Sequence, residues 1–129
     1  MIPEISLDTH WRCEYADRAP DGRIDGFDVS PLASFQPLRI GAKMAWLERE
    51  FDLPPIEDEC IGYSLTIDSA PMGTHLTLNG RELGEIAAPL ALDVTDTVFL
   101  EGNRLILRVP RGSAGAVGSV RLIAIPCDS

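Results

Sequence analysis

The pair Asn79-Gly80 constrains this chain more than any other two residues. A two-residue type I′ turn needs positive φ at both central positions, and Asn-Gly supplies that most readily. The pair joins His75-Leu76-Thr77-Leu78 to Arg81-Glu82-Leu83-Gly84. With the turn fixed, Leu78 faces Arg81 and Leu76 faces Leu83. Both leucines then lie on one face of a β-hairpin and are buried together.

The rest of the chain reads in the same period of two. His10 to Tyr15 sets Trp11, Cys13 and Tyr15 on one face. Ala45 to Leu53 sets Leu47, Arg49, Phe51 and Leu53 on one face and Trp46, Glu48, Glu50 and Asp52 on the other. A helix over Lys43 to Phe51 competes, because Met, Ala, Leu, Glu and Arg favour helices. The Pro54-Pro55 stop and the short length favour a strand. Ile61 to Ile67 alternates most cleanly. Leu90 to Leu92, Arg104 to Val109 and Val120 to Ile125 follow as further strands. Asp93-Val94-Thr95-Asp96 opens a short helical turn with Thr95 or Asp96 as its cap. Residues 20–41 read as a long irregular loop with one short strand near Leu38 to Ile40. Ten prolines and eleven glycines in 129 residues punctuate these segments. About eight short strands with no long helix predict an all-β chain, an antiparallel sandwich or barrel, as one domain over residues 1–129.

A formal charge of −9 argues against nucleic acid and against anionic membrane surfaces as partners. The first residues, Met1-Ile2-Pro3-Glu4, show neither the basic start nor the apolar core of a secretory signal. No apolar run approaches the ~20 residues that a membrane span needs. The expected location is cytoplasmic. Cys13, Cys60 and Cys127 lack Cys-x-x-Cys spacing, and an odd count fits free thiols. A Cys13–Cys127 bridge between terminal strands is the alternative.

Four segments in series carry a family resemblance. They are Trp46-Leu47-Glu48-Arg49-Glu50-Phe51-Asp52-Leu53-Pro54, Leu76-Thr77-Leu78-Asn79-Gly80-Arg81-Glu82-Leu83-Gly84, Pro89-Leu90-Ala91-Leu92-Asp93-Val94-Thr95 and Glu101-Gly102-Asn103-Arg104-Leu105-Ile106-Leu107-Arg108-Val109. Their order and spacing over residues 45–110 resemble the N-terminal sugar-binding domain of family 2 glycoside hydrolases, the β-galactosidase and β-glucuronidase group. The resemblance implies a galactose-binding-like jelly roll. It also implies a non-catalytic role, because the family's catalytic glutamates lie in a separate barrel domain for which this chain has no room. Such domains often hold a structural calcium in an N-terminal loop. Here Asp21, Asp25 and Asp28 are the residues placed for it, with Asp17 nearby, although their spacing is not that of an EF-hand. The segment Glu85-Ile86-Ala87-Ala88 departs from the family pattern, being shorter and without an aromatic ring.

Within that frame the ligand-binding candidates are Trp46, Trp11, Arg49, Asn79 and Arg81. An indole offers a flat apolar partner to the C–H groups of a sugar ring, while the competing role for either tryptophan is core filling. Arg49 shares the inward face with Leu47 and Phe51, and a buried guanidinium must be paired. Its partner is either an acidic residue on a neighbouring strand or a hydroxyl or carboxylate of a ligand. Glycoside hydrolysis needs two carboxyl groups about 5–10 Å apart. The acidic residues Glu48, Glu50, Asp52, Glu57, Asp58 and Glu59 all fall on outer faces or in loops, where they are solvated. His10 and His75 have no paired metal spacing, and no Gly-x-Ser-x-Gly, phosphate loop or dinucleotide fingerprint occurs. The leading expectation is a carbohydrate-binding module without catalysis, working beside a separate catalytic chain. The alternative is a structural or protein-interaction domain that pairs with itself as a homodimer through sheet edges or a flat face.

Overall fold

The computed structural model describes residues 4–16, 27–29, 44–53, 61–110 and 117–126. Ten strands run through the described residues, and no helix is found among them. They are β1 (Glu4–Ser6), β2 (Trp11–Ala16), β3 (Phe27–Val29), β4 (Met44–Phe51), β5 (Ile61–Ser69), β6 (His75–Leu78), β7 (Arg81–Glu85), β8 (Leu90–Asp93), β9 (Asn103–Val109) and β10 (Gly118–Pro126). One sheet has the order β1-β10-β5-β8 and the other β3-β2-β4-β9-β6-β7. Every pairing is antiparallel. The two sheets stack as the expected sandwich of the jelly-roll type.

Alternation decides what lies between the layers. From the six-stranded sheet come Trp11, Cys13, Ala45, Leu47, Phe51, Leu76, Leu78, Leu105, Leu107 and Val109, all buried. Leu65, Ile67, Val120 and Leu122 meet them from the four-stranded sheet. The segment Met44–Phe51 is a strand because it gains ladders on both sides, to β2 and to β9. Tertiary pairing of this kind overrides helix propensity.

The central hairpin turns as expected, with φ of 53° at Asn79 and 80° at Gly80. Leu78 faces Arg81 and Thr77 faces Glu82, but Leu76 faces Gly84 rather than Leu83. The expected Leu76–Leu83 pairing is corrected by a β-bulge, in which Leu83 is the extra residue. Gly84 takes φ of 90°, which a side chain would resist. Leu83 still packs against the core, so the ribbon keeps its oily side.

Two strands of three residues, β1 and β3, were too short for alternation to announce; β3 falls inside the stretch read as irregular. The strand expected near Leu38 lies outside the described residues. The turn after β8 is capped by Asp93, not by Thr95 or Asp96. Asp93 Oδ1 accepts from Thr95 N at 3.0 Å and from Thr95 Oγ1 at 2.6 Å. These bonds favour the ionised carboxyl and hold it below the usual carboxylate range. Thr95 Oγ1 in turn accepts from Tyr63 N at 3.0 Å, which ties the turn to β5.

Cys13 is a buried free thiol, and burial pushes its pKa up to about 12. Cys60 and Cys127 lie outside the described residues. A group whose folded pKa is raised contributes stability that is complete below its unfolded pKa and is lost as pH rises through the folded one. For Cys13 that window runs from about pH 9 to about pH 12. At pH 8 the native thiolate population should be about a thousandfold below that of the unfolded chain. Alkylation by iodoacetamide, followed on the Cys13 peptide by mass spectrometry, should be slower in the folded protein than in urea by at least two orders of magnitude. Equal rates in the two conditions would show a thiol that is open to solvent.

Candidate functional site

The alternation that sends Leu47 and Leu107 inward sends Trp46 and Arg108 outward. Strand register then sets five side chains abreast on the outer face of the six-stranded sheet. Glu14 on β2 is opposite Trp46 on β4, Trp46 is opposite Arg108 on β9, and Arg108 is opposite His75 on β6. His75 is opposite Glu85 on β7. At about 4.8 Å per strand the row spans about 19 Å.

The centre of the row is built rather than loose. The Arg108 guanidinium lies over the indole of Trp46, 5.9 Å from the ring centroid, within reach of a cation–π attraction. Trp46 Nε1 donates to Ala16 O at 3.0 Å, which fixes the ring plane. His75 Nδ1 is 3.0 Å from Gly73 O. A carbonyl can only accept, so this geometry assigns the proton to Nδ1 and leaves Nε2 as an acceptor in the neutral ring. Trp46, Arg108 and His75 are all half-buried. Arg108 Nε is shielded from solvent and has no hydrogen-bond partner. No carboxylate among the described residues lies within ion-pair distance of Arg108. Arg104 and Arg121 differ: Arg104 Nε is paired with Glu48 Oε2, and Arg121 with Asp68 at 3.2 Å and Glu4 at 4.0 Å.

Glu48 corrects an expectation. It points outward as alternation demands, yet only 4% of it is exposed. Arg12 and Ile106 flank it across the sheet, and Arg104 binds its carboxylate. A carboxylate this buried needs such a partner.

The five candidate ligand residues do not come together. Trp11 is fully buried, and its Nε1 donates to Leu7 O. It fills the core and presents no face to a ligand. Arg49 takes the inner face as read from sequence, in register with Leu105. Its Nη1 donates to Glu50 O, while its Nε is buried without a partner. Burial lowers the pKa of this guanidinium. No carboxylate among the described residues forms the expected ion pair with it. Because Arg49 and Trp46 are on opposite faces of β4, they cannot serve one site.

Asn79 is committed to structure. Its Nδ2 donates to Thr97 O at 2.7 Å and to Asn103 Oδ1 at 2.9 Å, and its Oδ1 accepts from Arg104 N at 2.8 Å. Arg81 is exposed at the hairpin end, with Nη1 3.4 Å from Thr97 Oγ1. Of the aspartates placed for calcium, Asp21 and Asp25 lie outside the described residues, and Asp28 is exposed on β3 opposite Arg12. No group of three or more His, Cys, Asp or Glu among the described residues is disposed to hold a metal.

A second exposed feature stands at the hairpin end. Phe99 is 59% and Leu100 78% exposed. Their backbone is nonetheless clamped. Asn103 Oδ1 accepts from Phe99 N and Asn103 Nδ2 donates to Phe99 O, both at 2.7 Å. Leu53 N donates to Leu100 O at 3.0 Å, and Gly102 N donates to Asp52 Oδ1 at 2.8 Å.

No protein-family model matches this chain, and neither does any curated protein. Solved structures do. A β-glucuronidase from an uncultured Clostridium sp. superposes with a TM-score of 0.73 at 20% identity, over 97% of this chain and 29% of its own. A glycosyl hydrolase family 2 member from Bacteroides cellulosilyticus gives 0.68 at 15% identity, over 95% and 20%. A rhamnosidase from Novosphingobium sp. PP1Y gives 0.64 at 22% identity, over 95% and 15%. This chain therefore spans less than a third of each of these proteins. What is shared is the fold, an antiparallel β-sandwich of the jelly-roll type, carried as a small part of much larger glycosidases.

Proposed function

We propose that the chain is a non-catalytic module that binds carbohydrate and works beside a larger glycoside-hydrolase body. The observation that carries the reading is the row centred on Trp46, Arg108 and His75. It offers an aromatic edge, a cation and an imidazole acceptor, all half-buried, on the outer face of one sheet. Saccharide recognition needs that mixture of apolar surface and hydrogen-bonding groups. The shared fold with parts of large glycosidases supports the accessory role. Two of the described carboxylates are poorly suited to catalysis. Glu48 is taken by Arg104. Asp93 is shifted down, the wrong way for a general acid.

A glycan array of neutral and acidic oligosaccharides, followed by titration of tryptophan emission, tests the reading. Binding should quench or shift the Trp46 signal, since Trp11 is sealed in the core. Trp46→Ala should weaken binding by at least about tenfold, the size expected for one lost ring contact. An array without a hit, or full affinity in the variant, counts against the module being a sugar binder on this face.

The clamped Phe99–Leu100 pair favours a second reading, a protein-interaction domain. Two large apolar side chains exposed on a hydrogen-bonded backbone are what an interface anchor requires. Sedimentation velocity on the wild type and on the double variant Phe99→Ser, Leu100→Ser separates the cases. Self-association that the double variant loses supports this reading. A monomer at all concentrations removes the homodimer form of it.

A further inference from the structure

We propose that Asn79-Gly80 is a latent deamidation site, guarded by the amide clasp between Asn79 and Asn103. Its reaction, which consumes only water, frees the backbone of the Phe99–Leu100 segment.

The reactivity comes from the sequence. Gly80 is exposed, and nothing lies within 4 Å of where its Cβ would stand, so no bulk shields its amide. In such a pair the Gly80 nitrogen attacks Cγ of the Asn79 side chain. The new N–Cγ bond closes a five-membered succinimide. The Cγ–Nδ2 bond breaks, and Nδ2 leaves as ammonia, carrying the proton that the Gly80 nitrogen gives up. One water then opens either ring carbonyl, which yields aspartate or its β-linked isomer. Nothing is oxidised or reduced.

The structure opposes that closure. Attack requires near-attack contact between the two atoms, which means turning Asn79 about its backbone and about Cα–Cβ. Both rotations are pinned. The type I′ turn sets the backbone, with φ of 53° at Asn79 and its N donating to Arg104 O at 2.9 Å. Nδ2 donates to Thr97 O at 2.7 Å and to Asn103 Oδ1 at 2.9 Å, while Oδ1 accepts from Arg104 N at 2.8 Å. Ammonia can leave only if Nδ2 gains a proton, and both groups bonded to Nδ2 are acceptors. The bond from Arg104 N polarises the carbonyl and alone would favour attack, but contact comes first. Once formed, the product cannot rebuild the clasp. A carboxylate at this position offers Thr97 O no donor and sets a charged oxygen against Asn103 Oδ1. The β-linked isomer lengthens a two-residue turn, so Leu78 and Arg81 no longer fall opposite each other. Asn103 holds both backbone polar groups of Phe99, which passes the damage to the exposed apolar pair.

The test follows the Asn79 peptide of the whole chain by mass spectrometry during incubation in mildly alkaline buffer. Folded wild type should deamidate at least about a hundredfold more slowly than the same chain unfolded in urea. Below the unfolding transition its rate should change little with added urea, because opening the clasp exposes little surface. Asn103→Ala should deamidate at least about tenfold faster than wild type while folded, and the wild-type urea series carries the test should that variant fail to fold. Deamidated protein, isolated by ion exchange, should lose hydrogen-exchange protection at Phe99 N. Equal rates in buffer and in urea, or an inert pair in both, overturn the inference. A rate that climbs with urea as steeply as global unfolding does assigns the protection to the whole fold and overturns the role of the clasp. Phe99 N still protected after deamidation overturns the release.

Discussion

Asn103→Ala is expected to lower the free energy of unfolding by about 3–5 kcal/mol, one of the largest single losses available outside the apolar core. Asn103 is fully buried at the start of β9. Its amide makes three bonds: it accepts from Phe99 N and Asn79 Nδ2 and donates to Phe99 O. Truncation leaves two donors and one acceptor without partners, at about 1–3 kcal/mol each, less whatever water recovers. The loss also spreads, because Asn79 holds Arg104 N and Thr97 O from the hairpin turn. Urea denaturation of wild type and variant measures it directly. Asn103→Asp is the informative companion: it keeps the acceptor oxygen, loses the donor to Phe99 O and places a charge in a fully buried position. It should be destabilised as well. A cost below about 1 kcal/mol for Asn103→Ala would mean that the clasp is decoration and that the loop is held by packing.

That clasp shows where sequence reasoning succeeds and where it stops. Asn79-Gly80 is legible because the turn it makes is local, and both residues do take positive φ. Gly102-Asn103 also reads as a turn, but the buried role of Asn103 depends on Asn79, 24 positions away. No local pattern carries that distance. The bulge at Leu83 is invisible for a related reason. A two-residue turn by itself assigns Leu83 to Leu76, and the extra residue shows only in the ladder as a whole. The candidate site divides the same way. Alternation along β4 correctly separates Trp46 from Arg49. It cannot say that Arg108 lies across from Trp46, since β4 and β9 pair over a separation that only the finished sheet defines. The burial of Glu48 follows from that same pairing, which brings Arg104 and Ile106 beside it.

The two tryptophans should respond to truncation in opposite ways. Trp11→Ala is expected to cost about 3–5 kcal/mol, enough to leave a chain of this size barely folded. Its indole is the largest fully buried side chain, and it packs among residues that close around a single volume. Removing it leaves a void that stiff neighbouring strands cannot fill, and loss of its Nε1 bond leaves Leu7 O short of a donor. Trp46→Ala removes a half-buried ring from the outer face, where water replaces it, so a loss of about 1 kcal/mol is expected. Trp11→Phe separates the two contributions in the first case. It keeps most of the apolar volume and gives up the hydrogen bond, so it should fall between, at about 1–2 kcal/mol. Chemical denaturation followed by far-ultraviolet circular dichroism reads all three without relying on the fluorophore being mutated. If Trp46→Ala proved as damaging as Trp11→Ala, the outer face would be part of the hydrophobic interior of this fold. The row of Trp46, Arg108 and His75 could then no longer be treated as a surface that meets a ligand.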